Sequence, residues 1–185
     1  MHVRFSSCIG LPLMEEGVEG VLGTVSGILI HPDTAYVEGF FVYGSGHGPS
    51  NLFVSSMDIS RWGTRLYVRN ADVIAPADDR IRLQALLEDN RTVLGQKIVT
   101  ESGVRVGRCK DVQINTDSMH IEWIFPKKCL RWGVALPVSE VIEVTVAAII
   151  IKDRLKAEKS PKNAKVPRGA FAELSDAPLA GRTSQ

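Results

Sequence analysis

The sequence lacks most of the features that announce a chemistry. It has three cysteines, Cys8, Cys109 and Cys129, an odd set without a CxxC pair. That spacing argues against a disulfide framework and against a zinc knuckle, leaving buried or semi-buried thiols in a reducing compartment. The opening MHVRFSSCIGLPLMEEG reaches acidic residues before any apolar h-region, so it does not read as a signal peptide. The most apolar run, Val141 to Ile151, is interrupted by Glu143 and falls well short of the roughly 20 residues that cross a bilayer. A cytoplasmic location is expected.

Catalytic constellations are equally scarce. His2, His31, His47 and His120 are scattered, and no two share metal-ligand spacing. Ser6-Ser7 and Ser55-Ser56 have no partnered base that the sequence identifies. Gly44 to Gly48 is rich in glycine, but no following Lys or strand-to-helix pattern makes it a phosphate cradle. Glu15, Glu16 and Glu19 fall in a hairpin turn, where solvation is the plain reading. No catalytic residue, cofactor site, metal site or small-molecule substrate is expected.

Charge is also missing in any large net amount, since the chain carries +1 overall. Its distribution is uneven. Residues 152–168 hold seven Lys or Arg against Asp153 and Glu158, which leaves the first 151 residues slightly acidic. A slightly acidic body matches a phosphate backbone poorly, so polyanion binding would fall to the tail: Lys156, Lys159, Lys162, Lys165 and Arg168. A second basic cluster, Lys127, Lys128 and Arg131, is interleaved with Trp123, Phe125 and Trp132, a mixture suited to stacking bases and contacting phosphates. Packed tryptophans beside solubilising cations explain the cluster as well.

What the sequence does have is an internal repeat. Leu22–Phe41 overlays Val106–Phe125 at a shift of 84, matching Gly23 with Gly107, Ile30 with Ile114, Asp33 with Asp117, Glu38 with Glu122 and Phe41 with Phe125. Upstream, Ile9-Gly10 meets Leu94-Gly95 at a shift of 85; downstream, Arg61-Trp62-Gly63 meets Arg131-Trp132-Gly133 at a shift of 70. The first change of shift places one extra residue in the turn Glu15–Glu19. The second implies a longer insertion before Arg61, around YGSGHGPSN (Tyr43–Asn51), whose composition suits an exposed loop. Each copy alternates with strand periodicity around a turn, His31–Thr34 or Asn115–Ser118, where Asp33 and Asp117 are placed to cap. The shared Arg-Trp-Gly context predicts equivalent structural roles for Trp62 and Trp132. Between the copies, Asp78–Asn90 reads as a short helix with Asp78 as N-cap and Ile81, Leu86 and Leu87 facing inward.

The glycine-strand pattern, its following aspartate (Asp111, replaced by Gly27 in the first copy), the apolar strand and the final L-x-V resemble the PRC-barrel family. That family is named for the cytoplasmic barrel of the photosynthetic reaction centre H subunit, and a member also forms the C-terminus of the ribosome maturation factor RimM. The resemblance covers about residues 9–75 and 94–151, and it implies small bent barrels that dock on other macromolecules without catalysis. The expected fold is mainly β: two tandem PRC-type barrels at 1–77 and 91–153, a linker helix at 78–90, and a polar, mostly disordered tail at 154–185. The expected function is a non-enzymatic adaptor with a protein partner. The alternative is an RNA- or ribosome-associated factor resembling RimM that uses the basic tail. Any membrane association would run through a partner.

Overall fold

A computed structural model describes residues 1–45 and 52–153. The loop around Gly46–Asn51 and the tail from Arg154 lie outside the described residues, and with them the expectations placed there. The fold is mainly β. Its first sheet contains β2 (Pro12–Glu15), β3 (Val21–Ile30), β4 (Val37–Gly44), β5 (Leu52–Ser55), β6 (Ile59–Trp62), β7 (Leu66–Val68) and β8 (Ala75–Pro76), in the order β6-β7-β2-β3-β4-β5-β8. The second contains β9 (Lys97–Thr100), β10 (Arg105–Asn115), β11 (His120–Lys128), β12 (Arg131–Trp132), β13 (Leu136–Pro137), β14 (Val141–Val144) and β15 (Ile149–Ile151). There β14, β15, β9, β10 and β11 are successive neighbours, with β12 and β13 both on β11. The N-terminal strand β1 (His2–Arg4) joins this second sheet, with Val3 opposite Ile114.

One pairing scheme therefore occurs twice. Leu13 of β2 lies opposite Leu66 of β7 in parallel, as Ile98 of β9 lies opposite Ile149 of β15. Trp62 then faces Leu66, and Val144 faces Ile149, each after a one-residue irregularity at the same step. The core repeats position by position: Leu13 and Ile98, Val25 and Cys109, Ile30 and Ile114, Val37 and Ile121, Phe40 and Ile124, Val54 and Leu136, Leu66 and Ile149, Val68 and Ile151 are all buried in one cluster. A strand must hold its register to keep its apolar set inward, so these pairs identify equivalent residues more securely than identity does. The β2–β3 turn exceeds the β9–β10 turn by one residue, as the change from 85 to 84 requires.

The third block of the repeat is corrected. Trp62 corresponds to Val144, at a shift of 82, and not to Trp132. Trp62 packs edge-on against Phe40, ring centroids 5.1 Å apart, whereas Trp132 sits on β12 and is 54% exposed. The two Arg-Trp-Gly triplets thus lie on differently connected strands. The supposed long insertion before Arg61 shrinks to a two-residue difference between the shifts of 84 and 82. The linker also differs from expectation. Residues 77–87 form three separate helical turns, Ala77–Asp79, Ile81–Leu83 and α1 (Gln84–Leu87), with no side-chain cap from Asp78. Leu83 is buried where Ile81 was expected, and Ile81 is exposed.

The sheets meet at their hairpin corners. The Val37 N–H donates to the Met119 carbonyl at 2.7 Å, and the Ile121 N–H donates to the Ala35 carbonyl at 2.9 Å. These four residues pair by the shift of 84, so the contact is its own mirror under a pseudo-two-fold rotation. Tyr36 and His120, also equivalent, stack edge to face at 5.1 Å on the axis. Ala35 and Met119 adopt φ of 57° and 54°, a left-handed conformation that costs about 1–2 kcal/mol in a residue with a Cβ. The two reciprocal bonds offset that cost.

Each copy's lead-in segment crosses to the other copy. Residues 2–8 precede the first sheet but pack on the second. Residues 87–93 precede the second sheet, while Leu87 packs near Leu29 and Phe41 of the first. The crossings end on the two equivalent aspartates. Arg91 makes a bidentate pair with Asp33 at 2.6 and 3.0 Å, and the N-terminal amine lies 2.7 Å from Asp117. The turns themselves are capped two residues earlier, by the His31 ring and the Asn115 carboxamide accepting from the Asp33 and Asp117 N–H groups. The shared aspartate is thus an anchor for the crossing segment and not the cap.

Two measurements test this architecture. Trp62→Ala should cost about 3 kcal/mol in denaturant unfolding, and Trp132→Ala should stay within about 0.5 kcal/mol; equal losses would mean that the Trp62–Val144 register is wrong. The hydrogen bonds from Arg91, with its charge, hold the Asp33 carboxyl below its usual range. A lowered folded pKa stabilises above the unfolded value, about 3.9, and the gain disappears as pH falls through the folded pKa. Wild type should therefore exceed Arg91→Gln in stability at neutral pH, and the gap should close below about pH 4.

Candidate interaction surface

The outer faces of the two sheets differ, although their frames agree. On the first sheet, Gly39 has no side chain because the Phe53 ring and the Val54 carbonyl occupy the space its Cβ would need. Phe53 in turn is fully buried with Ala77 and Leu83, against Leu29, Phe41 and Leu87. The helical turns of residues 77–87 thereby cover this face. On the second sheet the equivalent of Gly39 is Trp123, which is 39% exposed, and Phe53 is replaced by Ala135. Strand β8 extends the first sheet beyond β5; among the described residues β13, the counterpart of β5, pairs only with β11.

Onto this less covered face folds the N-terminal segment. Its anchor is Asp111, a carboxylate only 1% exposed. Asp111 accepts from the Ser6 N–H at 2.9 Å, from the Ser6 hydroxyl at 2.6 Å and from the Val112 N–H at 3.0 Å, with the Arg4 guanidinium 3.9 Å away. A buried charge is tolerated where donors and a cation meet it. In the first sheet Gly27 stands at this position beside the Phe41 ring, so the anchor has no counterpart there. Cys8 and Cys109 lie buried nearby, and burial pushes both thiols up to about 12; neither is a nucleophile at neutral pH. Cys129, contrary to the expectation of burial, is exposed in the β11–β12 turn.

With Asp111 holding the segment, Arg4 lies over the Phe125 ring, 3.7 Å from its centroid, and 6.0 Å from that of Trp132. Lys127 approaches the other side of the cluster, its Nζ 5.2 Å from the Trp132 centroid. These are cation–π arrangements. Strands β11 and β12 form a hairpin with Lys127 opposite Trp132 and Lys128 opposite Arg131, and its tip carries Leu130, 91% exposed. The sequence cluster Trp123, Phe125, Lys127, Lys128, Arg131 and Trp132 thus falls on one hairpin, and both tryptophans reach solvent instead of packing in the core. Arg4 was absent from the expected set, because only the long-range β1–β10 pairing brings it here. The tail cations Lys156, Lys159, Lys162, Lys165 and Arg168 lie outside the described residues.

Among the described residues, no group of three or more His, Cys, Asp or Glu side chains could hold a metal ion, and no helix is long and apolar enough to cross a membrane.

The Asp111 anchor is directly testable. Asp111→Ala should cost about 2–3 kcal/mol, the worth of hydrogen bonds to a buried charge, and should speed amide exchange through β1. Unchanged exchange at Val3 and Ser6 would show that β1 is held by its strand pairing alone.

No protein-family model matches this chain, and a search of curated proteins gives no match.

Proposed function

We propose that the chain is a non-enzymatic adaptor of tandem PRC-barrel type that docks on a protein partner through the hairpin face of its second half. The observation that carries this reading is the exposed aromatic and basic surface of Arg4, Trp123, Lys127, Arg131 and Trp132, standing where the first half covers its own face with residues 77–87. Aromatic and Arg side chains are the groups that anchor protein interfaces, because they bury much area and retain directional contacts. Leu130 at the hairpin tip adds an apolar point of contact. The doubled frame, with its matching strand order in the two sheets, supplies a rigid base for it.

The test compares the full chain with a variant carrying Lys127→Ala, Arg131→Ala and Trp132→Ala. A partner enriched by the wild-type chain from its native lysate should be lost with the variant, while the thermal midpoint changes by less than about 3 °C. Equal recovery by both proteins would exclude the hairpin, and recovery of background proteins alone by the wild type would count against the adaptor reading. If instead the retained ligand is RNA, with log K falling against log salt at a slope near −3.5 to −4.5 for about five phosphates, the RimM-like alternative takes its place.

A further inference from the structure

Under the pseudo-two-fold frame the equivalent inward residues of the two halves are mostly of similar size, and both aromatic rings are lost at one place. In the first half, Phe40 and Trp62 fill the space beside the hairpin corner with two perpendicular rings. In the second half, Ile124 and Val144 stand at the same two positions, and between them opens a cavity of about 250 Å³. Val93, Ile121, Val138 and Val141 complete its apolar wall, and Asp33, Thr34 and Glu143 reach its rim. An apolar wall with a polar rim open to solvent suits a ring that carries a polar edge. The Trp62 indole N–H is buried without an acceptor, so the filled version of this space holds its ring by packing alone.

We propose that this cavity is a binding site for a tryptophan side chain of a protein partner, taking from outside the ring that the first half supplies from its own chain. The occupant's size and shape follow from the equivalent space, which an indole fills. Its source follows from β14, which carries Val141 and Val144 and ends its sheet. An extended segment alongside this terminal strand would place a side chain at the cavity mouth, as strand addition does. The inference rests on the adaptor reading for the existence of a partner, but it uses the opposite face of β11 from the hairpin cluster.

N-acetyl-tryptophanamide titrated into the isotope-labelled full chain is the probe. Saturable methyl shifts are expected at Ile121, Ile124, Val138 and Val144, with N-acetyl-alaninamide giving none. Val144→Trp, which copies the first half's plug, should weaken the interaction at least tenfold. As a second variant, Trp62→Val should open the equivalent space and add a second set of saturable shifts at Val37 and Ile59. Absence of saturable shifts in the wild-type protein at millimolar probe overturns the proposal, as does undiminished binding by a folded Val144→Trp. Saturable binding of free indole but not of the amide overturns the side-chain source. The hairpin variant Trp132→Ala should bind the probe normally, so failure at the cavity and failure at the hairpin are read separately.

Discussion

Two backbone hydrogen bonds across the hairpin corners, from Val37 to Met119 and from Ile121 to Ala35, set the geometry that the other contacts follow. They form only if both corners turn back in the left-handed conformation seen at Ala35 and Met119, a strained state in any residue but glycine. Once they form, the rotation that relates the sheets is fixed. Tyr36 and His120 meet on the axis, and the inward faces of β3, β4, β10 and β11 share one aliphatic cluster instead of two small ones. The gain is one of scale, because a single module of some 70 residues buries a smaller fraction of its surface than a body of 150.

The crossing of the lead-in segments reinforces that junction. Each segment is tied at both ends, to its own sheet through Gly10 or Gly95 and to the other through an ion pair with Asp33 or Asp117. Gly10 and Gly95 both adopt φ near 80°, which a side chain would resist, and their N–H groups reach equivalent acceptors, Val25 and Cys109. Pulling the sheets apart would therefore strip β1 from β10 and Arg91 from Asp33 in the same motion. The exposed ion pairs contribute little by themselves. Their effect is to fix where the segments end, while the burial of Cys8 and Val93 supplies the apolar contribution.

Much of this frame is legible in the sequence wherever equivalent residues face the core. The shift of 84 follows inward positions, Ile30 with Ile114 and Val37 with Ile121, and the shift of 85 follows the shared left-handed backbone of Gly10 and Gly95; the strand registers agree with both. The shift of 70 followed identity instead, and the identity was accidental: Arg131-Trp132-Gly133 belongs to an exposed hairpin, where no inward constraint preserves a pattern. The true partner of Ile59–Trp62 was Val141–Val144, concealed because a tryptophan had been exchanged for a valine. Long-range contacts were harder still. Nothing local in His2–Arg4 marks it as a neighbour of β10, so the placement of Arg4 over Phe125 could not be read, although the aromatic and basic spacing of the hairpin itself could. The linker misled for a related reason: Ile81, Leu86 and Leu87 suit one continuous helix, but the turns break at Arg80, and Leu83 enters the space above Phe53.

Where two copies share a frame, their differences carry more information than their agreements. Agreement at the core positions is what folding requires of each copy, whatever else the protein does. Besides the Asp111 anchor, which only the second half has, two groups of departures each remove something from the second half that the first half retains. On the outer face, the pair Gly39 and Phe53 becomes Trp123 and Ala135, and the ring that was buried under residues 77–87 is replaced by one that reaches solvent. On the inner face, Phe40 and Trp62 become Ile124 and Val144, and a filled space becomes a cavity. Both changes work against the stability of the second half, since one exposes aromatic surface and the other gives up packing. The first half, with the same strands and the same registers, shows that neither is demanded by the fold. The lost contacts lie on opposite sides of the single strand β11, one group on its outer face at Trp123 and the other on its inner face at Ile124, so neither loss follows from the other.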